Sequence, residues 1–354
     1  MAATTVPGLE RYRAAVEEEL RQAVNGELPL YHLMRYHLGW VDPQGRPTEG
    51  SGKALRPALC LWSCWALGGV WQRALPAAAA IELIHNFSLA HDDIQDGDRE
   101  RRHRPTLWHL WDRPRALATG TGLWALAYRL IDRLREPGLP SYPTRPSAWA
   151  DSPAEVSLSA YRLINEGVLD MIEGQCLDIS YEGRLDVSVE AYLDMVEKKT
   201  GALLGCAMAL GSLLANDSDE DVQAFRRCGR LLGLAFQARD DILGIWGEEE
   251  RTGKPRASDV RRRKKSLPVV YALERAQGQQ RRALLEIYSQ DEVAEERIAA
   301  VLAVLDSVGA LPLCQEMAAS YARQALRALD GRHLASGALA ELEEIVAFLL
   351  EREF

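Results

Sequence analysis

The chain of 354 residues carries 42 Lys and Arg against 51 Asp and Glu, a net charge of −9. Hydrophobic residues make up 47% and charged residues 26%, globular proportions that exclude wholesale disorder and collagen-like or low-complexity architecture. The acidic surplus also argues against a protein that coats nucleic acid through its overall field.

Residues 1–8 have no basic start and no apolar run, so no signal peptide is expected. From there the sequence reads as helix after helix. Ala, Leu, Glu and Arg dominate, apolar residues recur at three- and four-residue steps, and alternating β-branched runs are nearly absent. Val41–Gly52 is a Pro- and Gly-rich loop. It leads into Gly52-Lys53-Ala54-Leu55-Arg56-Pro57, where Lys53 and Arg56, three apart at a helix start, can point together toward an anion. Cys60 and Cys64 share a face of the helix that follows, but no nearby pair completes a zinc site. The six cysteines are expected to be reduced and buried, as in a cytoplasmic protein.

The run Ile81–Asp98 begins as an apolar helix and ends in carboxylates. A helix places Asp92 and Asp96 one turn apart on one face, where like charges repel by a few tenths of a kcal/mol. Hard oxygen ligands without His or Cys favour Mg²⁺ as the counter-charge, with Asp93 as an outer acceptor. Alone, such a pair would be a solvated helix end. Here Arg99, Arg101, Arg102 and Arg104 follow at once, and carboxylates beside arginines suggest a metal–phosphate site.

The longest apolar stretches, Leu117–Ile131 and Gly201–Ala215, are too short for a membrane span. Glu136–Asp151 holds four prolines and reads as a surface insertion. Ser152-Pro153-Ala154-Glu155 carries a helix-start pattern, and Ser188 opens another helix running through Lys199. Asn216-Asp217-Ser218 closes one helix and opens the next, which runs to about Trp246. Near its end lies Phe236-Gln237-Ala238-Arg239-Asp240-Asp241-Ile242-Leu243-Gly244, a second acidic pair with Gln237 one turn before Asp240. Gly253-Lys254-Pro255 and Arg261–Lys265 then read as a mobile flap that clamps phosphate. No composition shift separates two halves, so a single all-α domain over 1–354 is expected.

In this order the motifs closely resemble the trans-isoprenyl diphosphate synthases, the polyprenyl synthetase family, and most of all the short-chain geranylgeranyl diphosphate synthases. The resemblance rests on G-K-x-x-R-P, H-D-D-x-x-D followed by R-R, K-T-G at Lys199–Gly201, and F-Q-x-x-D-D followed by G-K-P, over about 52–268. It implies one isoprenoid-synthase helical bundle around a central cavity, with the two acidic motifs facing each other at its mouth. It also implies several Mg²⁺ ions held by Asp92, Asp96 and Asp240, with Asp93, Asp241 and Lys199 in the catalytic set. Arg101, Lys199, Thr200, Gln237, Lys254 and Lys264 match positions that hold the allylic diphosphate. Lys53, Arg56, His85 and Arg102 match those that hold isopentenyl diphosphate. A cytoplasmic homodimer without nucleic-acid partner or membrane span is expected. Two departures stand out: Gly244 replaces the usual last Asp of the second motif, and His103 replaces the glycine usual after the Arg pair.

The product would grow along the helix that ends in Asp92. At 1.5 Å per residue, Ser88, Phe87 and Ile84 lie roughly 6–12 Å below the metals. A bulky Phe87 beside a small Ser88 resembles the C20-producing pattern, with C15 second. Two alternatives are a terpene cyclase of the same fold, and a non-catalytic subunit of a heteromeric synthase, which Gly244 alone supports. His37, His109 and His333 show no partner in the sequence.

Overall fold

The computed structural model describes residues 8–48, 54–135, 153–216, 218–248, 255–290 and 293–351. Lys53, Lys254 and the proline-rich stretch 136–151 lie outside them. The chain is all-α. Its helices are α1 Glu10–Ala23, α2 Pro29–His37, α3 Leu55–Ala66, α4 Leu75–Gln95, α5 Leu107–Leu110, α6 Arg113–Asp132, α7 Pro153–Tyr181, α8 Val189–Val196, α9 Ala202–Ala215, α10 Asp219–Trp246, α11 Ser258–Arg261, α12 Leu267–Arg275, α13 Gly278–Tyr288, α14 Glu295–Ser307, α15 Ala310–Arg327 and α16 Ala338–Glu351. The helix starts expected at Ser188 and Ser218 are there. The Ser188 side chain accepts the Ala191 N–H at 3.1 Å, and Ser218 Oγ accepts the Asp221 N–H at 3.2 Å.

Two features depart from a purely α-helical reading. A hairpin pairs β1 Glu100–Arg101 with β2 Arg104–Pro105, its two-residue turn placing Arg102 at φ +53° and His103 at φ +59°. Strands of two residues carry too few positions to show alternation, so periodicity could not find them. The helix opened by Ser188 widens over Glu197–Gly201 into a π turn before α9.

The chain falls into two compact units, residues 1–166, 206–226 and 332–338, and residues 167–205, 227–331 and 339–354. In the first unit α4 is the buried centre. Every residue from Pro76 to Ile84 is buried, as expected of a helix apolar on all sides. Trp62, Leu123 and Ile131 are buried in the same unit. In the second unit, Ile245, Val260, Val269, Leu273, Leu284 and Val301 form one apolar cluster, and Tyr192, Leu234, Ile242, Val270 and Cys314 belong to another. All six cysteines are free thiols, and five are buried. Among the described residues no single helix is long and apolar enough to cross a membrane.

Candidate active site

In the first unit the site is built on the last turns of α4. The Asp96 N–H donates to Asp92 O at 2.8 Å, so the helix holds both carboxylates one turn apart, as their spacing predicts. They sit at a helix C-terminus, where the backbone dipole is negative and carboxylates are least welcome without a cation. Asp93 points elsewhere. It is buried, and Arg101 Nε donates to its Oδ1 at 2.6 Å. Burial pushes the Asp93 carboxyl up and Arg101 pulls it back down. Arg101 is thereby oriented from the hairpin.

Beside this pair, Arg56 Nη1 donates to His85 Nε2 at 3.3 Å, joining two residues 29 apart in sequence. The imidazole proton then sits on Nδ1. Burial, followed by Arg56, Arg102 and Arg101, holds His85 well below its usual range, so it is neutral at pH 7. A cavity of about 230 Å³ lies behind, lined by His37, Asn86, Asp93, Arg101, Arg102 and Arg104 among others. His37, partnerless in the sequence, donates from Nε2 to Asn86 O at 2.9 Å. Asn86 Nδ2 donates to the buried Glu82 Oε1 at 3.1 Å. The only sequence signal for Glu82 and Asn86 was polarity inside an otherwise apolar run. Below the carboxylates, Ile84 is fully buried and Ser88 donates to its own helix at His85 O. Phe87 stacks on Trp124 of α6 at 5.5 Å and 17°, and meets His91 edge-on at 4.8 Å.

In the second unit, Lys199 and Thr200 lie in the π turn. Gly201 makes the turn's packing possible, since a Cβ there would come within 2.9 Å of Arg230 O on α10, and one on Gly233 within 2.4 Å of Gly201 Cα. Lys199 Nζ pairs with Asp178 at 2.5 Å. Thr200 Oγ1 donates to Gln237 Oε1 at 3.2 Å, and Gln237 Nε2 donates to Asp241 Oδ1 at 3.0 Å. Asp241 is fully enclosed. It also accepts from Tyr192 OH and from Leu267 N at 2.9 Å, and pairs with Lys264 at 3.6 Å. This carboxylate therefore organises its neighbours, and Asp240 beside it is half-buried. Asp178 and Tyr192 have no motif that would have revealed them, whereas Asp259, a second partner of Lys264 at 3.9 Å, stands in the sequence between Gly253-Lys254-Pro255 and the basic run.

The basic segment expected as a mobile flap is seated where it is described. The Ala257 N–H donates to Ile245 O at 3.1 Å, Val260 is fully buried, and Arg263 Nη2 donates to Tyr288 O at 2.9 Å. Apolar anchoring of Ala257 and Val260, flanked by charges, was hidden by the basic composition of the run.

Among the described residues no three His, Cys, Asp or Glu side chains converge as a metal cage. Two carboxylates one turn apart nevertheless suit Mg²⁺, which keeps several waters and takes further ligands from substrate phosphates.

The family model described as polyprenyl synthetase matches residues 45–305. The chain belongs to the polyprenyl synthetase family. Within it, the chain is 35% identical to a protein of Mycobacterium tuberculosis named (2E,6E)-farnesyl diphosphate synthase, over the whole of this chain and 95% of that one. It is 42% identical to a geranylgeranyl diphosphate synthase of the same species, over 75% of this chain and 71% of that one. A crystal structure of a polyprenyl synthetase from Streptomyces coelicolor superposes with a TM-score of 0.87 at 37% identity, covering 97% of this chain and 99% of that one. This polyprenyl synthetase thus has the isoprenoid-synthase fold and is a trans-prenyltransferase.

Proposed function

We propose that this prenyltransferase condenses isopentenyl diphosphate head-to-tail with allylic diphosphates and stops at C20, geranylgeranyl diphosphate. The observation that carries the length is Phe87. Its ring lies two turns' depth or less beneath Asp92 and is backed by Trp124, so it is a braced floor rather than a loose side chain. A second reading, C15, is favoured by the farnesyl diphosphate synthase aligned over the whole chain.

In this reading Asp92, Asp96 and Asp240 hold Mg²⁺, which when bound supplies the charge neutralisation that diphosphate departure needs. Lys199, Lys264 and Arg101, with Lys254, hold the allylic diphosphate, and Thr200 and Gln237 add hydrogen bonds. The developing polyanion is stabilised by these prearranged cations as the allylic C–O bond breaks. Arg56 and Arg102, with Lys53, hold isopentenyl diphosphate close to the resulting carbocation. Neutral His85 serves by fixing Arg56, not by adding charge. Asp93 and Asp241 serve by orienting Arg101 and Lys264.

The test is incubation with Mg²⁺, isopentenyl diphosphate and each allylic diphosphate from C5 to C15, with products sized after dephosphorylation. A C20 alcohol is expected. A C15 alcohol would establish the second reading. Hydrocarbons formed only from a supplied long diphosphate, without consumption of isopentenyl diphosphate, would replace both with a cyclase.

A further inference from the structure

We propose that Glu82 of α4 is a positioning residue for Arg56 and Arg102, the two arginines assigned to isopentenyl diphosphate. The proposal rests on that assignment and deepens it. It gives a buried carboxylate that no step of the condensation uses a place in substrate recognition.

A carboxylate sits here where the helix is otherwise apolar. Every residue from Pro76 to Ile84 is buried, and Glu82 lies inside that run at 9% exposure. An acid taken out of water needs filled hydrogen bonds and a counter-charge. Asn86, four residues on, supplies the bonds. Its Nδ2 donates to Glu82 O at 2.8 Å and to Glu82 Oε1 at 3.1 Å. The Asn86 carbonyl in turn accepts from His37 of α2 at 2.9 Å. The Glu82 carboxylate is therefore oriented before any substrate arrives.

The counter-charge comes from two other elements. Arg56 enters from the first turn of α3, just after Ala54 at φ +48°, and Arg102 from the hairpin turn at φ +53°. Glu82, Asn86, Ala54 and Arg102 line one small cavity together with Glu17 of α1. Arg56 donates to His85, three residues beyond Glu82 and so on the same face of α4. Burial raises the Glu82 pKa, Arg56 and then Arg102 oppose the rise, and Glu17 adds to it. Glu17 itself pairs with Arg21 at 2.7 Å. The same two guanidiniums hold His85 down, which places both of them against this one face. Two cations that share a diphosphate repel each other while the site is empty of substrate. A fixed carboxylate beside both offsets that repulsion and selects the guanidinium orientations that the substrate needs.

The sign of the effect separates positioning from simple charge, because a carboxylate acting only as negative charge would repel the diphosphate and its removal would tighten binding. Four variants of the full-length enzyme test this: Glu82→Gln, Asn86→Leu, Arg56→Gln and the Glu82→Gln/Arg56→Gln double, with thermal melting to verify folding. Glu82→Gln keeps the shape and removes the charge. It is expected to raise KM for isopentenyl diphosphate roughly tenfold, the scale of one hydrogen bond to a charged group. KM for the allylic diphosphate should stay within about twofold, a split that general loosening of the fold would not give. Asn86→Leu keeps the charge and removes the bond that orients it, and should raise the isopentenyl KM about threefold. It decides the question if Glu82→Gln does not fold. On top of Arg56→Gln, Glu82→Gln should lose most of its effect, because the contact is already broken. An isopentenyl KM that is unchanged or lower in Glu82→Gln or in Asn86→Leu, that rises in step with the allylic KM, or that multiplies in the double overturns the proposal. The assignment of Arg56 then stands if Arg56→Gln raises the isopentenyl KM. If Arg56→Gln leaves that KM unchanged, the assignment itself is wrong and the proposal falls with it.

Discussion

Single residues in this chain carry conflicts that can be measured. His103 sits at φ +59° in the hairpin turn, a conformation that glycine adopts at least cost. His103→Gly is therefore expected to raise unfolding free energy by about 0.5–1 kcal/mol, read from urea denaturation. An unchanged or lower midpoint would mean that the His103 side chain compensates. His37 shows the opposite kind of cost. Burial first, then Arg101, Arg102 and Arg104, lower its pKa to about 4, against the opposing bond to Asn86 O. The folded state keeps His37 neutral while the unfolded chain takes up a proton near the ordinary value of about 6.5. Its contribution to stability is complete above about pH 6.5 and is lost as pH falls toward 4. Wild type should lose about 1–2 kcal/mol more than His37→Gln between pH 7 and pH 5. Equal losses would assign the acid sensitivity to other groups, His85 first. The family resemblance pointed to His85, Arg101 and Asp93 as candidate site residues. It could not show that Arg56 meets His85 or that Asp93 is spent on Arg101, because those pairings are made by the fold.

At the scale of elements, the helices that carry both acidic pairs, α4 and α10, are legible from apolar periodicity and their caps. The π turn at Glu197–Gly201 is not. Its wider winding answers to neighbours distant in sequence: a Cβ on Gly174 of α7 would come within 2.2 Å of Lys199 N, and Gly233 of α10 approaches Gly201. The glycine of K-T-G is thus a contact between backbones, while its lysine and threonine carry the polar side chains. Gly201→Ala should cost about 1–3 kcal/mol of stability by overpacking, seen as a lower melting temperature, and should weaken allylic diphosphate binding through Lys199 and Thr200. A variant with unaltered melting would show that α10 shifts freely at this contact.

For the whole molecule, composition and pattern gave the all-α class, and motif order gave the family. Neither could give the product: in the proposed reading chain length depends on what supports Phe87, and Trp124 lies 37 positions away with no motif to mark it. Association with a second copy is also a proposal. Leu169, Ile172 and Ile179 lie along one stripe of α7 and are exposed, at 58%, 38% and 41%. Leu169→Glu is expected to shift the protein toward monomer in sedimentation. A wild type that sediments as a monomer would remove that stripe as an interface. Condensation to a length set by the braced Phe87 is tested by sizing the alcohols from wild type and Phe87→Ala side by side. C20 is expected from the first and longer chains from the second. The same length from both, or no consumption of isopentenyl diphosphate by wild type, would contradict it.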